Sequence, residues 1–146
     1  MSNDEVRLQQ QHDYQFLIHF GESLPPLLSD EPPPIGQGQG PTPLQLLAAA
    51  VANCLTASLH FAFDKFKQHP GAIRAQAKVT VARNAQRRAR IKNIEVQIYL
   101  TANAADMQLL QKILDQFEDF CTVTQSVREG IDIDVKVFDG AGVQLK

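Results

Sequence analysis

The feature that most constrains this chain is a long apolar helix predicted over residues 42–67. Thr42 is a favourable N-cap, Pro43 suits the first helical position, and Gln45 completes a capping box. The sequence HPG stops the helix, which leaves a rod of roughly 25 residues and about 37 Å. Its first half, LQLLAAAVANCL, is apolar on nearly every side, as in a helix that is buried all round. One small domain rarely encloses such a helix, so burial between two subunits is the simpler explanation.

Alternating apolar and polar residues predict strands on both sides of this helix. The predicted strands cover residues 14–20, 73–81, 94–100 and 131–137, with a weaker strand at 6–10. The Pro- and Gly-rich stretch 25–43 is typical of an irregular loop. A second helix is predicted over residues 103–120, with a buried stripe formed by Met107, Leu110, Ile113, Leu114 and Phe117. This order of elements indicates a single α+β domain over residues 1–146, with a mostly antiparallel sheet.

Composition and termini restrict the compartment and the partners. The net charge of −2 and the pI near 6.0 do not mark the whole chain as a binder of nucleic acid or membranes. The N-terminus lacks the features of a signal peptide, and the longest apolar run, 44–52, is far short of the ~20 residues that a membrane span needs. We therefore expect a cytoplasmic protein. In a reducing cytosol the two cysteines are not expected to form a static disulfide, so they are inert thiols or redox-active ones.

Cys54 and Cys121 are the candidate reactive residues. Cys54 has small and apolar helical neighbours that leave room for a hydrophobic reactant: Ala50, Val51, Ala57 and Ser58. Cys121 ends the second predicted helix and enters a turn, TVTQSVREG. The residues alone favour the other interpretation, in which each cysteine is a small buried hydrophobe. Pairing requires Cα atoms within about 7 Å, which periodicity does not determine.

Two stretches of the chain resemble the signatures of the OsmC/Ohr family of thiol-dependent, hydroperoxide-handling proteins. The first is LPPLLSDEPPPIGQGQGPTPLQLLAAAVANCLTASLHFAFDKFK, which has an acidic-Pro segment, a Gly-rich loop and a helix that contains a Cys. The second is FEDFCTVTQSVREGIDIDVKV, which has a Cys, a short turn, a helical fragment, a Gly and a final strand. The order and spacing of the elements also match, so the resemblance covers nearly the whole chain.

The resemblance implies an intertwined homodimer in which sheets from both chains wrap around two helices, including the long central one. It implies an enzyme of oxidative stress defence that needs no cofactor or metal. Cys54 would attack an organic or fatty-acid hydroperoxide and become a sulfenic acid. Cys121 would resolve it as a disulfide, and a dithiol donor, typically a lipoylated protein in this family, would reduce the pair.

The chain departs from the family's peroxidase branch at the residues that activate the attacking thiol. That branch has a Glu ten residues before the helix Cys, where this chain has Leu44. Its partner Arg comes from the chain before the helix, where Arg7 is the only arginine here; Arg128 is another possible cation. The alternative function is therefore an OsmC-fold protein without peroxidase activity that binds a small hydrophobic ligand or senses redox state.

A basic run lies between the two central strands. It places five positive charges in ten residues, at Arg83, Arg87, Arg88, Arg90 and Lys92. It is either a patch for anions, nucleic acid or an acidic partner protein, or an exposed, solvated hairpin, which we favour because no aromatic residue is present to stack on bases. The four histidines have no metal-ligand spacing with either cysteine.

Overall fold

The structure, a computed structural model, describes residues 4–146, and its central element is the helix α1, Pro43–Lys65. The predicted capping box is confirmed, because the Thr42 hydroxyl accepts from the Gln45 N–H at 3.2 Å and the Gln45 side chain accepts from the Thr42 N–H at 2.9 Å. The helix ends earlier than predicted, since Phe66 caps it and Lys67 has a left-handed φ of 55°. Its last turn is thus closed before the HPG sequence is reached.

The N-terminal region forms a three-stranded antiparallel sheet in the order β1-β2-β3, with β1 at Arg7–His12, β2 at Gln15–His19 and β3 at Leu27–Ser29. The first two strands confirm the predictions for residues 6–10 and 14–20. The third corrects the expectation that residues 25–43 are irregular throughout. A three-residue strand flanked by prolines carries too little alternation to be recognised from the sequence.

The second sheet is an antiparallel hairpin of β4, Arg74–Arg83, and β5, Ala89–Tyr99. Both predicted strands are confirmed and both are longer than predicted. The connection is correspondingly shorter, because the Asn84 side chain accepts from the N–H groups of Gln86 and Arg88 and closes a tight turn. Part of the basic run therefore lies on β5 itself.

The second predicted helix, 103–120, is wrong as a single element. It consists of a 3-10 turn at Ala104–Asp106, the helix α2 at Leu110–Gln116 and a 3-10 turn at Phe117–Phe120. Met107 is extended and Leu109 is left-handed, with φ of 57°, so the backbone leaves the helical path there. Met107 is nevertheless buried, which explains why the apolar spacing imitated a continuous helix. The predicted turn after Cys121 is instead a helix, α3, Thr122–Glu129.

One face of α1 forms the core. Its C-terminal half packs Leu59, Ala62 and Phe63 against Met107 and Ile113. Its opposite face is exposed, at Ala49, Ala50, Asn53, Ala57 and Phe61. The first half of the helix is therefore not buried all round within one chain. By length and composition alone α1 could also cross a membrane, a test that core helices also pass.

The strand predicted at residues 131–137 does not form in the single chain. This segment joins neither sheet, and its alternate apolar side chains are exposed, with Ile133 at 82%. A strand exists through ladder bonds to a neighbouring strand, and within residues 4–146 no strand pairs with this segment. The alternating pattern therefore describes a face that this chain leaves uncovered.

Asp30 anchors the loop between β3 and α1. Its side chain is 1% exposed and accepts from the N–H groups of Glu31, Gln37 and Gln39 at 2.8, 3.2 and 3.0 Å, and from the Gln15 amide at 3.2 Å. Burial by itself raises the pKa of Asp30, but these donors outweigh it and hold the pKa below its ordinary value. The folded state thus favours the ionised carboxylate.

We predict that Asp30→Asn lowers the urea midpoint at neutral pH, because the amide cannot accept all four hydrogen bonds. Since the folded pKa is depressed, the stabilisation by Asp30 is complete above the ordinary value of 3.8 and is lost as the pH falls through the lower folded value. The difference in midpoint between wild type and variant should therefore shrink below that pH. Equal midpoints at neutral pH would contradict this role.

Candidate functional site

The fold brings Cys54 and Cys121 together. Cys54 lies in the middle of α1, and Cys121 lies between the second 3-10 turn and α3, where it is the N-cap residue of α3. Cys121 forms a buried cluster with Val51 and Leu55, and Cys54 packs against that cluster. Both are free thiols; Cys121 is 0% exposed, whereas Cys54 is half-buried. A reactant can therefore reach Cys54 more readily than Cys121.

Two buried hydroxyl groups surround the sulfur of Cys121. The Cys121 Sγ lies 3.0 Å from the Thr124 Oγ1, and the Ser58 hydroxyl also hydrogen-bonds to Cys121. Ser58 lies one turn after Cys54 on α1. The first turn of α3 adds backbone N–H groups, from Thr124 to both sulfurs and from Val123 to Cys54. Donors at a helix N-terminus favour negative charge on sulfur.

The two thiols differ in acidity. Burial raises the pKa of the Cys121 thiol, but hydrogen bonds from Cys54, Thr124 and Ser58 outweigh it and bring the pKa below the ordinary value. Burial also raises the pKa of the Cys54 thiol, and the neighbouring Cys121 raises it further. Of the two thiols, Cys121 is therefore the one whose surroundings favour the thiolate.

The cations considered from the sequence are engaged elsewhere. Arg128 forms a salt bridge of 2.7 Å with Glu118, and Arg7 lies 3.9 Å from Glu5. Leu44 is exposed in the first turn of α1, nearly three turns away from Cys54. Within residues 4–146, the contacts that lower the thiol pKa values are hydrogen bonds from neutral groups.

Two cavities flank α1. One, of about 530 Å³, lies between α1 and β5 and is lined by Val51, Leu55 and Thr124, all neighbours of Cys121. The other, of about 770 Å³, lies between α1, β4 and the loop after β3, and includes Leu44 among its small apolar lining residues. Both volumes are in the range of small-molecule sites. The smaller cavity lies beside the residues that pack on Cys121, and its lining also includes three charged residues: Lys92, Glu118 and Arg128.

The remaining candidates lie apart from the thiols. The five basic residues of the β4–β5 hairpin are exposed, and the guanidinium groups of Arg83 and Arg90 bind the backbone carbonyls of Arg87 and Ala89, each at 2.7 Å. The exposed hairpin is confirmed, and any role as a binding patch stays a prediction. Within residues 4–146 no group of three or more His, Cys, Asp or Glu side chains is placed to hold a metal ion.

The sequence interpretation missed Thr124 as a site residue, and it took Ser58 only as a small neighbour of Cys54 and not as a hydrogen-bonding partner of Cys121. A signal was available for both. Ser58 follows Cys54 by four residues on one helix, and Thr124 follows Cys121 by three, the spacing at which an N-cap side chain meets the first turn of its helix. The spacing between Cys121 and Thr124 is informative only once residues 122–129 are known to form the helix α3.

Comparison with known proteins identifies the class. The family model of the OsmC-like protein matches residues 36–136, which is more than half of the sequence. This chain belongs to the OsmC-like protein family. No curated protein sequence matches it.

Solved structures show the same fold at low sequence identity. The organic hydroperoxide resistance protein OsmC of Legionella pneumophila has a TM-score of 0.70 at 13% identity, over 92% of this chain and 95% of that chain. OhrB of Bacillus subtilis, an organic hydroperoxide resistance protein, has a TM-score of 0.67 at 16% identity, over 91% and 96%. The organic hydroperoxide resistance protein of Elizabethkingia anophelis has a TM-score of 0.69 at 13% identity, over 90% and 92%. They confirm the α+β, OsmC-like fold predicted from the sequence.

Proposed function

We propose that this protein is a thiol-dependent enzyme that reduces organic hydroperoxides of the fatty-acid type in oxidative stress defence. The observation that carries this proposal is the contact between two free thiols, one accessible and one buried among hydrogen-bond donors. An isolated buried cysteine would need neither a second thiol nor buried hydroxyl groups. Membership of a family whose structural neighbours are named for organic hydroperoxide resistance supports the same reaction.

The accessible thiol, Cys54, takes the attacking role. Its sulfur attacks the O–O bond and becomes a sulfenic acid, and the hydroperoxide leaves as an alcohol. Cys121 then attacks the sulfur of Cys54, which releases water and forms the disulfide. The two thiols have then lost two electrons to the hydroperoxide. A dithiol donor, in the cytoplasm a small dithiol or a lipoylated protein, returns them.

We predict that Cys54→Ser abolishes turnover of an organic hydroperoxide, because serine cannot form the sulfenic acid. Cys121→Ser should consume about one equivalent slowly and leave a sulfenic acid that a dimedone probe traps. Peroxide consumption with a dithiol donor measures both outcomes, and Cys54→Ala controls for the added hydroxyl group. Undiminished turnover in the Cys54 variants would exclude this function.

We further propose that the working unit is a homodimer. The exposed face of α1 and the exposed segment 131–137 are both apolar surfaces that one chain leaves uncovered. A second copy would cover the helix face, and pairing between chains would give the segment the strand neighbour that it lacks. Ile133 is the most exposed large apolar side chain of the segment, so its burial against a second chain would contribute most to the free energy of association.

We predict that wild type sediments as a dimer and that Ile133→Asp shifts it towards monomer, because a carboxylate would enter the buried face of the new strand. Asp132→Asn is the matched control, since its side chain points to the opposite face of an extended segment. Sedimentation velocity over a range of concentrations measures the shift. A monomeric wild type, or equal dissociation of the two variants, would contradict the dimer.

A second candidate function is binding of a small hydrophobic ligand, or redox sensing, without catalysis. The raised pKa of the Cys54 thiol and the cavity that contains Leu44 favour it. In that case Ala77→Leu, which fills the cavity, should weaken fatty-acid binding measured by calorimetry, while Gln76→Leu on the opposite face of β4 should not. Rapid consumption of cumene hydroperoxide with a dithiol donor would exclude this alternative.

A further inference from the structure

Attack by Cys54 requires a route by which its thiol loses a proton. An unperturbed thiol is only a few per cent ionised at neutral pH, and burial here makes the Cys54 thiol less acidic. Within residues 4–146, the contacts that lower the pKa of the Cys54 thiol come from neutral groups, so no cation offsets this effect. Another group in contact with Cys54 must therefore accept the proton.

Cys121 is that neighbour, and its surroundings suit a proton acceptor. Its sulfur is fully buried, contacts Cys54 and lies 3.0 Å from the Thr124 hydroxyl oxygen. Thr124 and Ser58 are themselves buried, so their hydroxyl groups have little water to bind. Each hydroxyl can donate to the sulfur when it is charged and accept from it when it is protonated. The same pair of hydroxyl groups thus serves both protonation states of Cys121.

We propose that Cys121 acts twice in each cycle, first as the base that takes the proton of Cys54 and then as the resolving thiolate, and that Thr124 is the positioning residue that holds it for both steps. This inference rests on the proposed peroxidase function.

In this cycle each bond that forms is matched by a bond that breaks. The Cys54 S–H proton moves to the Cys121 thiolate, and the Cys54 sulfur attacks the terminal oxygen of the hydroperoxide, so that S–O forms and O–O breaks. The departing alkoxide takes the proton back from Cys121 and leaves as the alcohol. The Cys121 thiolate then attacks the Cys54 sulfenic acid, S–S forms, and hydroxide leaves to become water. Two electrons pass from the two sulfurs to the hydroperoxide.

The groups that hydrogen-bond to Cys121 during this proton transfer are neutral. On α1 the groups that face it are Cys54 and Ser58, and β5 contributes apolar side chains to its cluster. The charged groups that line the adjacent cavity are Lys92 of β5 and the pair Glu118 and Arg128, which form a salt bridge with each other. Loss of the Thr124 hydroxyl group should therefore change the acidity of the pair directly.

The test compares Thr124→Val, which has the same shape without a hydroxyl group, with Thr124→Ser, which keeps the hydroxyl group. Stopped-flow oxidation by cumene hydroperoxide is followed as a function of pH, with ultraviolet absorbance of the thiolate in parallel. We expect Thr124→Val to oxidise roughly tenfold more slowly at neutral pH, with the profile displaced to higher pH, and Thr124→Ser to restore it. A purely structural role would lower the rate without moving the profile.

Ser58→Ala provides a second route if Thr124→Val does not fold, and should displace the profile in the same direction. Rapid oxidation of both Thr124→Val and Ser58→Ala with the wild-type profile would overturn the role of Cys121 as a base and leave the peroxidase function intact. Absence of oxidation in wild type would instead remove the peroxidase function itself, so the two failures are distinguishable.

Discussion

The burial of α1 is the constraint on which the rest of the structure depends. Its 23 residues are apolar over most of the surface, whereas the sheets and short helices of one chain cover only one face. The covered face organises both core clusters, because α2 and the 3-10 turn at Phe117–Phe120 pack on its C-terminal half and α3 packs near its middle. The same packing brings the N-terminus of α3 against Cys54 and thereby creates the site.

The site balances two opposing effects on sulfur. Removal from water disfavours a thiolate on either cysteine, whereas hydrogen bonds and the first turn of α3 favour one. More of these donors converge on Cys121, so its pKa is lowered, whereas the pKa of the more accessible Cys54 is raised. Cys54 is therefore the more accessible thiol and Cys121 the more acidic one. This division suits a reaction in which one thiol contacts the substrate and the other transfers protons.

Much of this arrangement could be predicted from the sequence, and the failures have local physical reasons. The capping box at Thr42 and the alternation in β4 and β5 depend on neighbouring residues, so they were correctly predicted. The break at Leu109 was missed because a left-handed residue leaves the apolar spacing unchanged. The contact between Cys54 and Cys121 depends on packing over 67 positions of sequence, which no periodicity encodes. The strand at 131–137 was predicted wrongly because alternation shows which side chains share a face, not whether a neighbouring strand is present to pair with them.

We propose that Cys54 and Cys121 form one redox pair. The most direct measurement is titration of the reduced protein with an organic hydroperoxide, with free thiols counted and the oxidised peptides mapped by mass spectrometry. We expect one equivalent of hydroperoxide to remove two thiols from each chain and to yield a Cys54–Cys121 disulfide within the chain. Persistence of both thiols, or stable oxidation of Cys54 alone in the wild-type protein, would contradict it.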